Sequence, residues 1–355
     1  MTPTGTIVLT GANGSLGSAI VSRIIADPLL AQNYHALYAI RSEKSAGNVK
    51  EALQKPGSNG HTHDLISLDL SSISSVRTAA TEINHRVESG EIPPIRALTL
   101  NAGWQEYTTH TITDDGFDMA FQVNYLGHFL LTLLLLQSLD KKNGRIVVLG
   151  SWSHDTADPR NTSGPVGKSY TRDGYKTIFT RDPWNGGKIA KGKWSTPEEH
   201  PNDIEAGFRR YGASKLCEVI MMRELARRIS KDSSLSQASV LGVDPGAMPS
   251  SLGARGNLQL RIIFKAVMPL VNPLASIFSP NGILRTTTKS AGDVINAAFD
   301  VKTLGEKPNR VYMDGSNIGD VGVEAKDGEN RERLWKESLV WAGIKNGDTV
   351  LEDWQ

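Results

Sequence analysis

A single cysteine, Cys217, is all that this 355-residue chain contains, so neither an internal disulfide nor a cysteine-rich metal site can form. That cysteine lies two residues after Lys215 in an apolar helical pattern, which reads as buried packing. An excess of charge of one sign is also missing. Lys and Arg number 39 against 38 for Asp and Glu, the net charge is +1 and the pI is about 7.8. No polyanion-seeking field results, and nucleic acid is not an expected partner. The first residues lack a basic segment followed by an apolar one; a strand-like run, Thr6 to Thr10, begins almost at once. No secretion signal is expected, and the expected location is cytoplasmic. Long hydrophobic runs are scarce as well. Phe129 to Leu139 is too short to span a bilayer, and Leu258 to Phe278 is interrupted by Arg261, Lys265, Pro269, Asn272 and Pro273. No transmembrane segment is expected; the second stretch leaves open a substrate lid or a peripheral membrane contact. His61, His63 and Asp64 stand without a further cluster, so they are read as surface loop residues and no metal is expected.

What the chain does have is alternation. Strand-like runs at Ile7–Thr10, Ala36–Ile40, Leu65–Leu68, Ala97–Leu100, Arg145–Leu149, Ser239–Val243 and Val311–Met313 are separated by helix-like segments. These are Leu16–Ala26, Ser74–Val87, Gly116–Leu139, Tyr211–Ser230 and Thr288–Phe299. The pattern predicts an α/β fold, a doubly wound parallel sheet with helices on both faces. The rhythm breaks between about Ser153 and Phe208, where Gly, Pro, Lys and Asp with scattered Trp and Tyr replace any periodicity. So long a span without an element suits a functional loop or lid inside one domain of residues 1–355.

Directly after the first strand comes Thr10-Gly11-Ala12-Asn13-Gly14-Ser15-Leu16-Gly17, opening a helix. Glycines there let the backbone turn tightly and approach a pyrophosphate, whose charge meets the free N–H groups of the helix N-terminus. Further along, Tyr211-Gly212-Ala213-Ser214-Lys215 sets a phenol and an ammonium one helical turn apart on one face. An ammonium held near a tyrosine stabilises the phenolate and lowers a pKa that starts near ~10, which makes an acid–base catalyst usable at neutral pH.

The glycine spacing is TGxxxGxG. With Asp69 after the third strand, Asn101-Ala102-Gly103 after the fourth, Asn124 in the long fifth helix, Ser151 after the fifth strand, Tyr211 and Lys215, then Pro245-Gly246 with Ser250, the chain resembles the short-chain dehydrogenase/reductase family from about residue 5 to 250. The resemblance implies a Rossmann-type fold and a nicotinamide cofactor. Thr10, Gly11, Asn13, Gly14, Ser15, Leu16 and Gly17 would bind it, as would Pro245, Gly246, Met248 and Ser250. Asp69 would accept a hydrogen bond from the adenine amino group with Leu70 packed nearby, and Asn101, Ala102 and Gly103 would shape the wall beside the adenine ribose. Ile40 stands where NAD-dependent relatives usually carry Asp, and Arg41-Ser42 resembles the NADP(H) arrangement, in which a guanidinium pairs with the 2′-phosphate. The alternatives are a surface arginine paired with Glu43, and an Asp69 that merely caps the turn before Ser71 and Ser72.

In the mechanism that the resemblance implies, Tyr211 exchanges a proton with the substrate oxygen while Lys215 holds the ribose and depresses the tyrosine pKa. Ser151 would hydrogen-bond the substrate oxygen, and Asn124 would place a water that joins Lys215 to a proton relay. Ser151 is preferred to Ser153 because it stands just past the carboxyl end of its strand. Ser151, His154 and Asp155 are adjacent and lack the GxSxG turn of a hydrolase. The sequons at Asn13 and Asn161 carry no weight without secretion.

Substrate choice is expected from the insertion 153–208 and the segment 247–290. Tyr170, Tyr175, Phe179, Trp184 and Trp194 offer aromatic surface, and Met248, Ile262, Ile263, Phe264, Val267 and Met268 aliphatic surface, for a roomy apolar pocket. The texture around Asn124, Ser151 and Thr286 to Val294 resembles the retinol dehydrogenase and protochlorophyllide reductase side of the family. That implies a hydrophobic small-molecule substrate, a retinoid, sterol, lipid or polyketide, and suits natural-product tailoring. The readings are an NADPH-dependent ketone or aldehyde reductase, a C=C reductase on the same fold, and an NADP(H)-binding sensor without turnover, against which the intact Asn–Ser–Tyr–Lys set argues. Family members often pair through the helices that carry Asn124 and Tyr211. A homodimer or homotetramer is therefore plausible, unless the insertion or the tail with Trp335, Trp341 and Trp354 blocks it.

Overall fold

Every residue of the first strand, Gly5–Thr10 (β1), is buried, as a strand covered on both sides requires. The computed structural model describes residues 2–55, 60–162, 166–196 and 204–355. Around β1 lie Tyr34–Ile40 (β2), His63–Ser67 (β3), Ile95–Leu100 (β4), Arg145–Leu149 (β5), Ser239–Asp244 (β6), Tyr312–Asp314 (β7) and Asn317–Gly319 (β8). Their order in the sheet is β3-β2-β1-β4-β5-β6-β7-β8, parallel throughout except for the β7–β8 pair.

Alternate side chains point to opposite faces of the sheet. Val8, Leu37, Leu98, Ile146 and Val148 pack beneath the helices Ile73–Glu88, Gly127–Leu135 and Ile204–Ile229. Ile7, Leu9, Tyr38, Val147, Leu149 and Leu241 face the helices Ser15–Ala26 and Thr287–Phe299. Each buried aliphatic side chain contributes about 1.5–3 kcal/mol, so both layers are needed to hold the sheet. The strand order reverses between β1 and β4, and a crevice opens at the carboxyl ends of the strands there, the place where open α/β sheets bind ligands.

Several elements depart from the sequence expectation. β8 is a three-residue edge strand, fully exposed and reached through Gly315 at φ 62°, too short to leave a periodic signal. The helix expected from Gly116 starts later, because Gly116 has φ 85°, and it passes through a π-helical turn, Phe121–Leu126. The helix carrying Tyr211 begins at Ile204, and Leu258–Phe278 is helical although polar residues and prolines interrupt it. His61 is not a surface residue. It is buried, with Nε2 2.9 Å from the Tyr38 hydroxyl and Nδ1 3.2 Å from the Ala31 carbonyl oxygen.

The described residues of the insertion are packed rather than open. Phe179 stacks on Trp184 at 4.8 Å, Tyr175 meets Trp194 edge-on at 5.5 Å, and the Trp184 indole N–H donates to Glu337. These aromatics knit the insertion to the body and to the C-terminal helix; they do not line the crevice, contrary to the aromatic pocket expected of them. Residues 163–165 and 197–203 of the insertion, including Ser163 of the second sequon, lie outside the described residues. The tail packs back on the body through Gly328–Trp341. Trp335 is buried edge-on against Phe129 at 5.0 Å, Trp341 meets Phe121 at 5.6 Å, and Ser338 lies 2.6 Å from the Tyr125 hydroxyl. The chain's own C-terminus thereby covers a side of the helices that carry Asn124 and Tyr211.

Candidate active site

The crevice is a cavity of about 650 Å³. Gly11, Asn13, Gly14, Ser15, Leu16 and Gly17 form one wall. Gly11 has φ 65°, and a Cβ there would stand 2.7 Å from the Ala102 Cα; a Cβ on Gly17 would stand 2.2 Å from the Gly11 carbonyl oxygen. Only glycines close this loop so tightly. Gly14 caps the following helix without a side-chain hydrogen bond, so no side chain blocks the N–H groups of its first turn.

Thr10 lies beneath the loop rather than on the cavity wall. Its Oγ1 accepts the Asn101 and Ala102 N–H groups at 2.9 and 3.0 Å, while Asn101 Nδ2 donates to the Thr10 and Gly11 carbonyls at 2.8 and 3.2 Å. These bonds join β1 to β4 across the point where the order reverses, leaving Asn101, Ala102 and Gly103 on the wall. Arg41 stands exposed at the rim with no ion pair among the described residues, so its expected rival partner, Glu43, does not engage it. Ser42 lies off the wall, bonded to Ser45. Asp69 and Leu70 are on the wall. The Asp69 Oδ1 accepts from the Ser71 N–H and hydroxyl at 2.9 and 2.6 Å, which is the turn-capping reading, and Oδ2 has no hydrogen bond among the described residues.

At the inner end of the cavity Ser151, just beyond β5, meets Tyr211 and Lys215 from the long helix. The Ser151 hydroxyl stands beside the phenol and pulls its pKa down. Ser153 is buried behind it and donates to Ser151 Oγ at 3.0 Å. Lys215 Nζ lies 5.6 Å from the Tyr211 ring centre, donates to the Leu149 carbonyl at 2.9 Å and sits 2.7 Å from Glu218 Oε2. Pro245, Gly246, Met248 and Ser250 line the cavity beyond β6. Asn124 does not reach the wall. Its Oδ1 accepts the Trp104 N–H at 2.7 Å, and its Nδ2 donates to the Trp104 carbonyl and to Ser214 Oγ at 3.0 and 2.8 Å. The Asn124 main-chain carbonyl accepts from His128 Nδ1 at 2.8 Å, and Nε2 lies 2.9 Å from the Thr10 hydroxyl oxygen.

Electrostatics here differ from the expectation drawn from Tyr211 and Lys215 alone. Burial pushes the Tyr211 pKa up; Lys215 pulls it down, but Glu218 and Asp244 push it up again, and the net direction is upward. Burial alone would lower the Lys215 pKa, yet Glu218 and Tyr211 hold it above the usual value. Asp244, the last residue of β6, is buried at the cavity wall and pushed up to about 6. The site therefore holds a protonated phenol beside a charged ammonium at neutral pH, a donor for an oxygen that gains charge. Glu218, Asp244, Trp104 and Arg255 are site residues that sequence reasoning did not single out. Glu218 had a legible signal, three positions after Lys215 and hence on the same helical face.

Over the substrate end lie Leu252, Arg255, Leu260, Ile263, Phe264 and Met268 from the segment after Gly246, with Tyr107, Met119 and Val123 opposite. Of the insertion's described residues only Val166 and Phe208, besides Trp152 just ahead of it, reach the cavity. Arg255 stacks its guanidinium 3.5 Å over the Trp104 ring and bridges the two lips.

Comparison with known proteins bears on this geometry. The family model described as short chain dehydrogenase matches residues 5–162. The chain is 54% identical to the short-chain dehydrogenase iccH of Talaromyces variabilis over all of both chains. It is 29% identical to protochlorophyllide reductase A of Oryza sativa subsp. japonica, covering 96% of this chain and 81% of that protein. Among solved structures, the NADPH-bound carbonyl reductase from chicken fatty liver superimposes with a TM-score of 0.56 at 15% identity, over 90% of this chain and 100% of that one.

Proposed function

The chain belongs to the short-chain dehydrogenase/reductase family, and from that membership we propose that it is an NADPH-dependent reductase of a ketone or aldehyde on a hydrophobic small molecule. The observation that carries the reading is the convergence of Ser151, Tyr211 and Lys215 at the inner end of a cavity whose outer end is a glycine cradle.

The residues present fit NADP(H). A Cβ on Gly11 or Gly17 would fill the cradle, and the uncapped first turn of Ser15–Ala26 offers N–H groups to a diphosphate. Asp69 Oδ2, without a hydrogen bond among the described residues, suits the adenine amino group, and Arg41, without an ion pair among them, suits a 2′-phosphate. The NADPH named with the chicken carbonyl reductase supports the same choice. When bound, the cofactor supplies a hydride.

The rest is done by this chain's own groups. Tyr211 would give its phenolic proton to the carbonyl oxygen, and Ser151 would donate a second hydrogen bond to that oxygen as charge grows there. Lys215, held by Leu149 O and Glu218, would keep positive charge beneath the phenol and meet ribose hydroxyls. Asn124 would act at one remove, its side chain fixing Trp104 and Ser214 so that the wall and the catalytic helix keep their spacing. Met248, Leu260, Ile263, Phe264 and Met268, all from the segment 247–290, would close an apolar pocket over the substrate.

The protochlorophyllide reductase relative supports a second reading, in which the same site reduces a C=C bond. Incubation with NADPH and a panel of apolar ketones, aldehydes and enones, with NMR of the products, tests both. Alcohol products support the carbonyl reading, saturated ketones the alternative, and no NADPH consumption across the panel counts against either.

A further inference from the structure

The helical segment Leu258–Phe278 has two apolar faces with different neighbours. Leu260, Ile263, Phe264 and Met268 line the cavity, and the buried Asn272 pins this face by donating to the Ala247 and Arg285 carbonyls at 2.9 and 2.7 Å. On the other face Leu258, Ile262, Leu270, Leu274 and Phe278 follow one another at multiples of four residues, flanked by Val267, Val271 and Ile277. Leu270 is 75% exposed, Ile277 71% and Phe278 87%. Sixteen large apolar side chains are exposed among the described residues, and nine of them fall between Leu258 and Ile283. That is a patch rather than scatter, and a patch of this kind marks a contact surface.

Charge says which contact. No Asp or Glu occurs between Asp244 and Asp293, whereas Arg255, Arg261, Lys265, Arg285 and Lys289 do. Arg285 is buried on Asp314 and Lys289 is paired with Asp293, while Arg261 and Lys265 fringe the apolar stripe without an acidic partner among the described residues. A second copy docked about a two-fold axis would bring these same cations against one another with no carboxylate in the segment to meet them. An anionic lipid surface meets both the cations and the apolar stripe. Spanning is disfavoured, since Asn272 ties the inner face to the protein body and Arg261 and Lys265 sit within the helix.

We propose that the outer face of Leu258–Phe278 seats on an anionic membrane surface, so that the cavity beneath it takes its hydrophobic substrate from lipid. The docking stands on the exposed face alone; the substrate route rests on the reductase reading above. Seated this way, Leu270, Leu274 and Phe278 enter the acyl boundary, Arg261 and Lys265 meet phosphate and carboxylate headgroups, and the inner residues Ile263 and Phe264 are one helix width from the bilayer.

Co-sedimentation of the full chain with vesicles of phosphatidylcholine, alone or with phosphatidylserine, tests this without any turnover. The protein should pellet with the serine-containing vesicles. Leu270→Asp with Phe278→Asp should abolish pelleting, and Arg261→Gln with Lys265→Gln should weaken it by roughly 30-fold, chiefly by removing the dependence on phosphatidylserine. Melting temperature and NADPH fluorescence should be preserved in both variants, which separates loss of docking from loss of fold. Wild-type protein that stays in the supernatant with serine-containing vesicles overturns the proposal. So does a wild-type dimer in light scattering that the Asp substitutions convert to monomer, because the patch would then be an interface between copies.

Discussion

Glu218 Oε2 lies 2.7 Å from Lys215 Nζ, both groups buried, one helical turn below the Tyr211 phenol. The carboxylate lets the lysine stay charged inside the protein and cancels part of its pull on the tyrosine. Two groups that would each be costly alone, a buried ammonium and a buried carboxylate, are tolerable together. His128 Nδ1 stands 3.7 Å from the other carboxylate oxygen and donates to the Asn124 carbonyl at 2.8 Å. The consequence concerns direction of reaction. A phenol kept protonated serves a reductase; a phenolate serves alcohol oxidation.

Glu218→Gln should therefore lower the Tyr211 pKa, because it removes a negative charge that disfavours the phenolate. NMR of ζ-13C tyrosine, assigned by comparison with Tyr211→Phe, reads the midpoint directly. Tyr38, Tyr107, Tyr125, Tyr170 and Tyr312 are all shifted upward by burial, so the difference from Tyr211→Phe is what isolates the Tyr211 signal. An unmoved midpoint contradicts the counter-ion role.

Arg41→Ala should weaken NADPH roughly 10–100-fold, the value of a charged hydrogen-bonded contact, and leave NADH nearly unchanged. Fluorescence titration with both nucleotides measures it. Equal weakening of the two removes Arg41 from the 2′-phosphate.

Asp244 yields a pH signature in stability. Burial raises its pKa to about 6; Arg160 pulls it down and Asp314 pushes it up. A carboxyl whose folded pKa exceeds its unfolded value near ~3.9 contributes its full stability below pH ~4 and loses it as pH rises through 6. Asp244→Asn has nothing to lose there, so its melting temperature should gain on wild type between pH ~4 and ~7, by an amount worth at most about 3 kcal/mol. A difference that stays constant with pH contradicts the raised pKa.

The C-terminal helix should behave as part of the core. Trp335, 2% exposed, touches Phe129 and Arg228 and donates its indole N–H to the Trp354 carbonyl at 2.7 Å. Trp335→Ala should cost about 3–5 kcal/mol by denaturant unfolding. With that helix covering a side of the helices expected to pair copies, light scattering should find a monomer.

Much of this was legible beforehand because periodicity carries the buried parallel strands. β1, β5 and β6 are apolar runs bounded by turns, and Gly11, Gly14 and Gly17 sit where a strand must turn into a helix. What escaped was set by contacts between distant residues. The aromatics Phe179 and Trp184 look alike whether they line a pocket or stack on each other, and only the fold brings Glu337 to Trp184. Leu258–Phe278 hid as a helix because its prolines and cations interrupt the apolar run, although the four-residue spacing of its outer stripe was present throughout. Tyr211 and Lys215 were visible as a pair, but the sign of the tyrosine's shift depends on Glu218 and Asp244, the latter brought in by β6.

The central claim is that Tyr211 is the proton donor to a substrate held over NADPH. Tyr211→Phe, assayed for NADPH binding by fluorescence and for reduction of whichever panel carbonyl the wild type accepts, tests it most directly. Binding should persist while turnover falls by about 10²–10⁴-fold. Undiminished turnover in that variant contradicts the account.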